Sequence, residues 1–249
     1  PTRRSSDLLE DNYFQSSVID FDKDRSDRST YKLLGGSIGF YGSTLNTRQY
    51  ATKGYLEKLI AQVFTGRERF EPGNPQEGYS PSPQERQSWL QISYMKEAYH
   101  TMGPKFTLGW MAEALYSSKN FSENYTATMM QAGEFAPTPH SKLMYNEAFR
   151  ANQYVAAGIK PIYVLNDMFQ FRTEFYGFTP IFPIKKNALN KAYYGKAFSR
   201  FEYMGEVSVI CHLPFGAISA YVNHYSSPRR EWNVGMTIGW QLFNYRFVE

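Results

Sequence analysis

Phe106-Thr-Leu-Gly-Trp-Met-Ala-Glu-Ala-Leu-Tyr116 alternates, residue by residue, between two kinds of side chain. Phe106, Leu108, Trp110, Ala112, Ala114 and Tyr116 share one face of an extended chain. Lys105, Thr107, Gly109, Met111, Glu113 and Leu115 share the other. Successive side chains of a strand point to opposite faces. The segment therefore reads as a β-strand with an apolar face that ends in aromatics and a second face that is mostly polar.

The same alternation recurs in both directions along the chain. Upstream, strands are expected over about 31–45, 55–69 and 86–99. Downstream, Val155, Ala157, Ile159, Pro161, Tyr163 and Leu165 form one face of a fifth strand. Phe169, Phe171, Thr173 and Phe175 alternate with Gln170, Arg172 and Glu174 in a sixth. A seventh sets Phe201, Tyr203, Val207 and Val209 opposite Arg200, Glu202, Glu206 and Ser208. An eighth carries Ile218, Ala220 and Val222, and a ninth Val234, Met236, Ile238, Trp240 and Leu242. Repeated apolar-out, polar-in segments of this length are the signature of an outer-membrane β-barrel. The expected fold is all-β, an antiparallel transmembrane barrel fragment of about nine strands. On this reading Phe106, Leu108, Trp110, Tyr116, Phe169, Phe171 and Trp240 face lipid. Arg200, Glu202 and Glu206 form a charge network in the lumen.

Composition agrees with that class. The 249 residues include 20 Tyr and 19 Phe, enough for the aromatic girdles at the two membrane interfaces. Mean hydropathy is −0.51. No run of about 20 apolar residues exists, which rules out a helical span but not a barrel. The net charge of +4 comes without a Lys/Arg-rich run, so a nucleic-acid partner is not expected. Cys211 is the sole cysteine, so no internal disulfide can form. His100, His140, His212 and His224 are scattered and read as strand-end or loop residues. Neither a metal nor a cofactor is expected.

The connections alternate between short and long. Short turns on one side and long loops on the other is the asymmetry of outer-membrane barrels. It places the chain's end on the periplasmic side of a bacterial outer membrane. Residues 118–150 are the longest stretch without periodicity, and such loops are usually functional or disordered. Pro1-Thr-Arg-Arg-Ser-Ser-Asp-Leu8 reads as the translation of a sequencing-adapter oligonucleotide and is set aside from fold reasoning. Residues 9–30 read as a polar, charge-rich loop, and 31–249 as the C-terminal part of a barrel. Nine strands have two free edges, so an open half-barrel is expected, completed by missing N-terminal strands. Outer-membrane barrels commonly end on an aromatic, and Phe243, Tyr245 and Phe247 alternate close to the end here.

The turn Asn46-Thr-Arg-Gln-Tyr-Ala-Thr-Lys-Gly54 and the segment Phe149-Arg-Ala-Asn-Gln-Tyr-Val-Ala-Ala-Gly158, followed by five strands, carry a resemblance. Residues 31–249 resemble the C-terminal half of barrels in the BamA/two-partner-secretion superfamily of bacterial surface antigens. The likeness is greatest to the barrel appended to bacterial patatin-like phospholipases. The resemblance implies a barrel of about sixteen strands in the whole protein. It also implies contact with outer-membrane lipid, insertion by the barrel-assembly machinery, and a missing N-terminal domain. In that superfamily a long extracellular loop folds into the lumen and its arginine contacts the second strand after it. The implied counterparts are loop 118–150, Arg150, and Arg172 and Glu174 on strand 168–178, with Glu174 as the partner of Arg150. The motif departs from the family's Arg-Gly-Tyr/Phe: it reads Phe149-Arg150-Ala151-Asn152, without glycine's freedom at 151.

A patatin-like hydrolase needs a nucleophilic serine in Gly-x-Ser-x-Gly and a paired aspartate. The serine spacing occurs once, at Gly35-Gly-Ser-Ile-Gly39, but within a strand rather than at the strand-to-helix elbow that exposes a nucleophile, so these read as barrel glycines. No catalytic residue is expected in this chain. The resemblance implies that the barrel anchors or exports an N-terminal lipid acyl hydrolase. The barrel of an assembly or secretion factor and a porin-like solute channel remain open alternatives. So does a soluble all-β binding module.

Overall fold

The computed structural model describes residues 3–15, 24–74, 86–214, 216–227 and 232–240, with the side chains of 3–8 and 240 left aside. The main sheet begins with β1 (Arg3–Tyr13), β2 (Asp27–Ser43), β3 (Gly54–Glu71), β4 (Arg86–Thr101) and β5 (Phe106–Ser117). The following long connection carries α1 (Tyr125–Gln131), β6 (Gly133–Glu134) and β7 (Arg150–Ala151). The sheet resumes with β8 (Gln153–Val164) and β9 (Phe169–Pro180). A small hairpin of β10 (Ile184–Lys186) and β11 (Ala192–Tyr194) precedes β12 (Glu202–Leu213), β13 (Gly216–Tyr225) and β14 (Trp232–Trp240).

Ten strands form one antiparallel sheet in the order β1-β2-β3-β4-β5-β8-β9-β12-β13-β14. Apart from the local pairs β6·β7 and β10·β11, each strand lies beside its neighbour in sequence. Among the described residues no ladder joins β1 to β14, so the sheet is not closed. The nine expected strands are present as β2–β5, β8, β9 and β12–β14, and β1 adds a tenth among the described residues, so the polar loop expected over 9–30 is corrected. Arg3–Tyr13 pair in unbroken register with Asp27–Ser37, from Arg3↔Ser37 to Tyr13↔Asp27. Arg-Arg-Ser-Ser-Asp-Leu-Leu-Glu-Asp-Asn-Tyr shows no alternation. It becomes a strand because the ladder bonds are made by backbone groups, and the edge of β2 offers them.

The alternation read from the sequence becomes a division between two faces. On β9 Phe169, Phe171 and Phe175 are exposed while Gln170, Arg172 and Glu174 are buried. On β12 Tyr203, Val207 and Val209 are exposed while Glu202, Glu206 and Ser208 are buried. Leu34, Ile38, Phe40, Leu59 and Val63 continue the exposed apolar face across β2 and β3. Of the residues expected on that face, Phe106, Tyr116, Phe169 and Phe171 are exposed, and Leu108 and Trp110 are half-buried. The side chain of Trp240 and the aromatics Phe243, Tyr245 and Phe247 lie outside the described residues.

The buried face curls around two inserts that enter from opposite ends. The β2–β3 turn, residues 44–53, comes from the end where β4–β5 and β8–β9 are joined by the short turns 102–105 and 165–168. The connection 118–152 comes from the other end, where the loops are long.

Candidate functional site

The deepest polar cluster lies between the two inserts and is built from β4, β8 and β9. Arg172 is 3% exposed. Its guanidinium pairs with Glu174, donates to Tyr99 Oη at 2.7 Å, and donates to the Ala51 carbonyl at 3.2 Å. Glu174 also accepts from the Tyr176 hydroxyl. Lys160 Nζ pairs with Glu97 at 3.0 Å and sits 5.8 Å from the ring centres of both Tyr99 and Tyr176. Each charge is thus paired, as burial requires.

Two glycines make room for the two tyrosines. A Cβ on Gly109 would stand 2.6 Å from the Tyr99 ring, and one on Gly158 would stand 2.2 Å from the Tyr176 ring. Real side chains do not approach so closely. Gly109 on β5 and Gly158 on β8 therefore let the rings lie flat across the neighbouring strand, toward the Arg172–Glu174 pair.

The turn 44–53 seals this cluster from below. Tyr50 adopts φ +54°, a left-handed conformation disfavoured for a side chain of this size. Three contacts from two strands, β9 and β13, hold the turn there. The Tyr50 hydroxyl meets Ser219 Oγ at 2.7 Å, Gln170 Nε2 donates to the Tyr50 carbonyl at 3.2 Å, and Arg172 reaches Ala51.

From the other end, connection 118–152 inserts an aromatic plug. Asn124 caps α1 by accepting from the Ala127 N–H at 2.8 Å, which satisfies an otherwise orphaned donor. After the helix, β6 and β7 pair as Gly133↔Ala151 and Glu134↔Arg150. This pairing delivers Phe135, 1% exposed, onto the concave face. Its ring lies 5.9 Å from Phe178, 6.0 Å from Tyr176 and 6.3 Å from Tyr154. Phe149 adds contacts to Phe178 and Tyr225 at 5.7 and 6.1 Å.

Arg150 holds the plug to itself. It pairs with Glu134 at 2.7 Å and donates to the Met130 and Ala132 carbonyls at 3.0 and 3.3 Å, at the C-terminal end of α1. Those carbonyls have no partner within the helix and carry its negative end. The pairing of Arg150 with Glu174 is therefore corrected. Glu174 is already matched by Arg172, two residues away on the same face, and Arg150 is captured by its own loop. The Arg200–Glu202–Glu206 network is also smaller than expected. Arg200 pairs with Glu202 at 2.8 Å, whereas Glu206 stands opposite Glu174 and its Oε2 has no protein partner.

The plug bridges both sides of the curled sheet. Asn124 donates to the Tyr13 hydroxyl at 2.8 Å, and Gln131 donates to Asp11 at 2.7 Å, both on β1. Lys119 Nζ lies 5.2 Å from the Tyr31 ring and 5.0 Å from the Trp89 ring. Burial lowers its pKa to about 8. On the far side His140 Nδ1 meets the Tyr225 hydroxyl at 2.8 Å, and Asn146 donates to the Ser227 carbonyl at 3.1 Å. Sequence reasoning missed α1, Phe135, Tyr99, Lys160 and the inward turn. The local motif Asn124-Tyr-Thr-Ala127, a cap residue ahead of good helix formers, was the one usable signal.

Burial lowers the His140 pKa below its ordinary 6.5. Because burial disfavours the protonated ring, the docked plug has its full stability above the ordinary value of 6.5 and loses it as pH falls from there through the lower docked value. Acidification below pH 6.5 is expected to speed tryptic cleavage at the exposed Lys142. His140→Gln should remove the acid step. An unchanged acid step in that variant would assign it to another group.

Among the described residues no group of His, Cys, Asp and Glu is arranged to hold a metal ion. Comparison with protein-family models, curated proteins and solved structures gives no match to this chain.

Proposed function

We propose that this chain is the membrane-embedded barrel part of a bacterial outer-membrane protein. Its convex face meets lipid, and its interior is occupied by the 44–53 turn and the 118–152 plug. The observation that carries this reading is the inverted partition of side chains. Phe171, Phe175, Val207 and Ile238 are exposed on the outside, while Arg172, Glu174, Lys160 and Glu206 are buried inside. In water, so much contiguous apolar surface would cost roughly 25 cal/mol for each Å². In lipid it is the favourable arrangement. Glu206 Oε2 and Ser208 Oγ, buried without protein partners, fit a hydrated lumen better than a dry core.

The free edges of β1 and β14 must be paired in lipid. The membrane form therefore joins them to each other or to further strands. With both inserts in place, the interior favours an anchoring or exporting barrel over an open solute channel. A patatin-like acyl hydrolase as its cargo, and insertion by the barrel-assembly machinery, rest on the resemblance of 46–54 and 149–158.

Refolding into phosphatidylcholine vesicles tests the membrane placement. The chain is expected to float with vesicles and to need detergent when they are dissolved. A monodisperse species in detergent-free buffer would end the proposal. Phe171→Arg sharpens the test, because Phe171 is 47% exposed. In lipid it should cost about 2–4 kcal/mol, read from urea unfolding. In a water-soluble protein a substitution so exposed should fall within about 0.5 kcal/mol of neutral.

A further inference from the structure

The convex face of β2–β4 is not apolar throughout. Strand register sets Lys32 beside Arg67, Thr30 beside Arg69 and Arg28 beside Glu71. It also sets Arg67 beside Arg86 on β4. Side chains two apart along a strand share a face, so Arg28, Lys32, Arg67, Arg69 and Arg86 all point outward at the long-loop end. Two carboxylates stand among them. Glu10 pairs with Arg28, and Glu71 pairs with Arg69 at 2.8 Å. Lys32 and Arg67 have no carboxylate partner among the described residues. Arg86 Nε donates to Thr65 Oγ1 at 3.1 Å. Arg28, Lys32, Arg67 and Arg69, with the two carboxylates, line a depression of about 280 Å³, and Arg86 stands beside it.

Its surroundings say what it would bind. Two residues further along β2 the same face turns apolar, with Leu34 53% exposed and Ile38 64% exposed. Val63 and Leu90 continue that apolar band across β3 and β4. At the same end of the later strands the exposed groups are aromatic: Tyr116, Phe201, Tyr203 and Trp232. On the strand faces the charge is therefore a local patch, and the exposed Lys185, Lys186, Lys191 and Lys196 lie apart from it on the β9–β12 connection. Like charges facing each other across strands destabilise a sheet unless an anion lies over them. Arginine forks match phosphate oxygens.

We propose that this patch binds the phosphate groups of membrane lipid headgroups, with the acyl chains lying along the Leu34–Ile38 and Val63–Leu90 band. The proposal rests on the membrane reading above. A free anion would need the cations but not the adjoining apolar band, and a nucleic acid would find that band unfavourable.

The test uses the full chain folded into phosphatidylcholine vesicles, with or without lipid A, a glycolipid carrying two phosphates. Lipid kept on the protein after extraction in mild detergent is measured by native mass spectrometry. Lipid A should be retained in preference to phosphatidylcholine. Each neutralised cation should weaken retention about fivefold, so Lys32→Gln with Arg67→Gln should weaken it about 25-fold. Lys105→Gln, in the β4–β5 turn at the opposite end, should leave retention unchanged. All these positions are solvent-exposed, and equal urea midpoints would show that folding is intact. Equal retention by the double variant would overturn the proposal. So would equal retention of dephosphorylated lipid A. Saturable binding of inorganic phosphate at the same residues would reassign the patch to free anions. Failure to insert into phosphatidylcholine alone would instead remove the membrane reading on which the proposal stands.

Discussion

Arg172→Met is expected to destabilise the folded protein by about 3–5 kcal/mol, because it leaves the buried Glu174 carboxylate without its cation. The loss should extend past the pair. Arg172 also holds the Tyr99 hydroxyl and the Ala51 carbonyl, so its removal frees the turn that keeps Tyr50 at positive φ. Glu174→Gln should cost a similar amount by stranding the guanidinium. The double variant Arg172→Met, Glu174→Met should cost less than the two singles added together, since neither charge is then left alone. Urea unfolding in detergent micelles, followed by tryptophan fluorescence, measures all three. Single-variant losses below about 1 kcal/mol would mean that solvent screens the pair as at an ordinary surface.

Phe135→Ala should undock the plug. The ring is almost wholly buried against Tyr154, Tyr176 and Phe178, and truncating a core phenylalanine costs about 3–5 kcal/mol. β6 and β7 contribute two register pairs, too few to hold the connection in place alone. The expected readout is rapid tryptic cleavage at Lys142 with the sheet left intact. Phe135→Leu, which refills part of the space, should restore much of the protection. If Phe135→Ala left Lys142 as resistant as before, the plug would be held by its polar ties to Tyr13, Asp11 and Tyr225 instead. Arg150 should behave differently from either residue. Because it fastens α1 to Glu134 within the plug, its loss should unravel that segment while Phe135 remains a local anchor.

The strands were legible because alternation is a local property. Phe169 to Phe175 declare their two faces without reference to any other segment. β1 was illegible for the opposite reason: its polar side chains carry no pattern, and backbone pairing with β2 alone makes it a strand. The pairing of Arg150 was misjudged because the sequence shows which charges are available but not which lie nearest. Only the fold brings the carbonyl end of α1 within reach of that guanidinium. Glu206 lies near Arg200 in sequence, yet the register of β12 with β9 places it opposite Glu174.

The sequence by itself determined that the chain is built of antiparallel strands with an apolar and a polar face, and where most of them begin and end. A two-residue period needs nothing beyond the geometry of an extended backbone. Tertiary structure decided what fills the space that the polar faces enclose: the strained 44–53 turn below and the Phe135 plug above. It also gathered Arg28, Lys32, Arg67, Arg69 and Arg86 into one outward patch. Both outcomes depend on register between segments distant in the chain, and register is fixed by the ladder of hydrogen bonds rather than by any one strand.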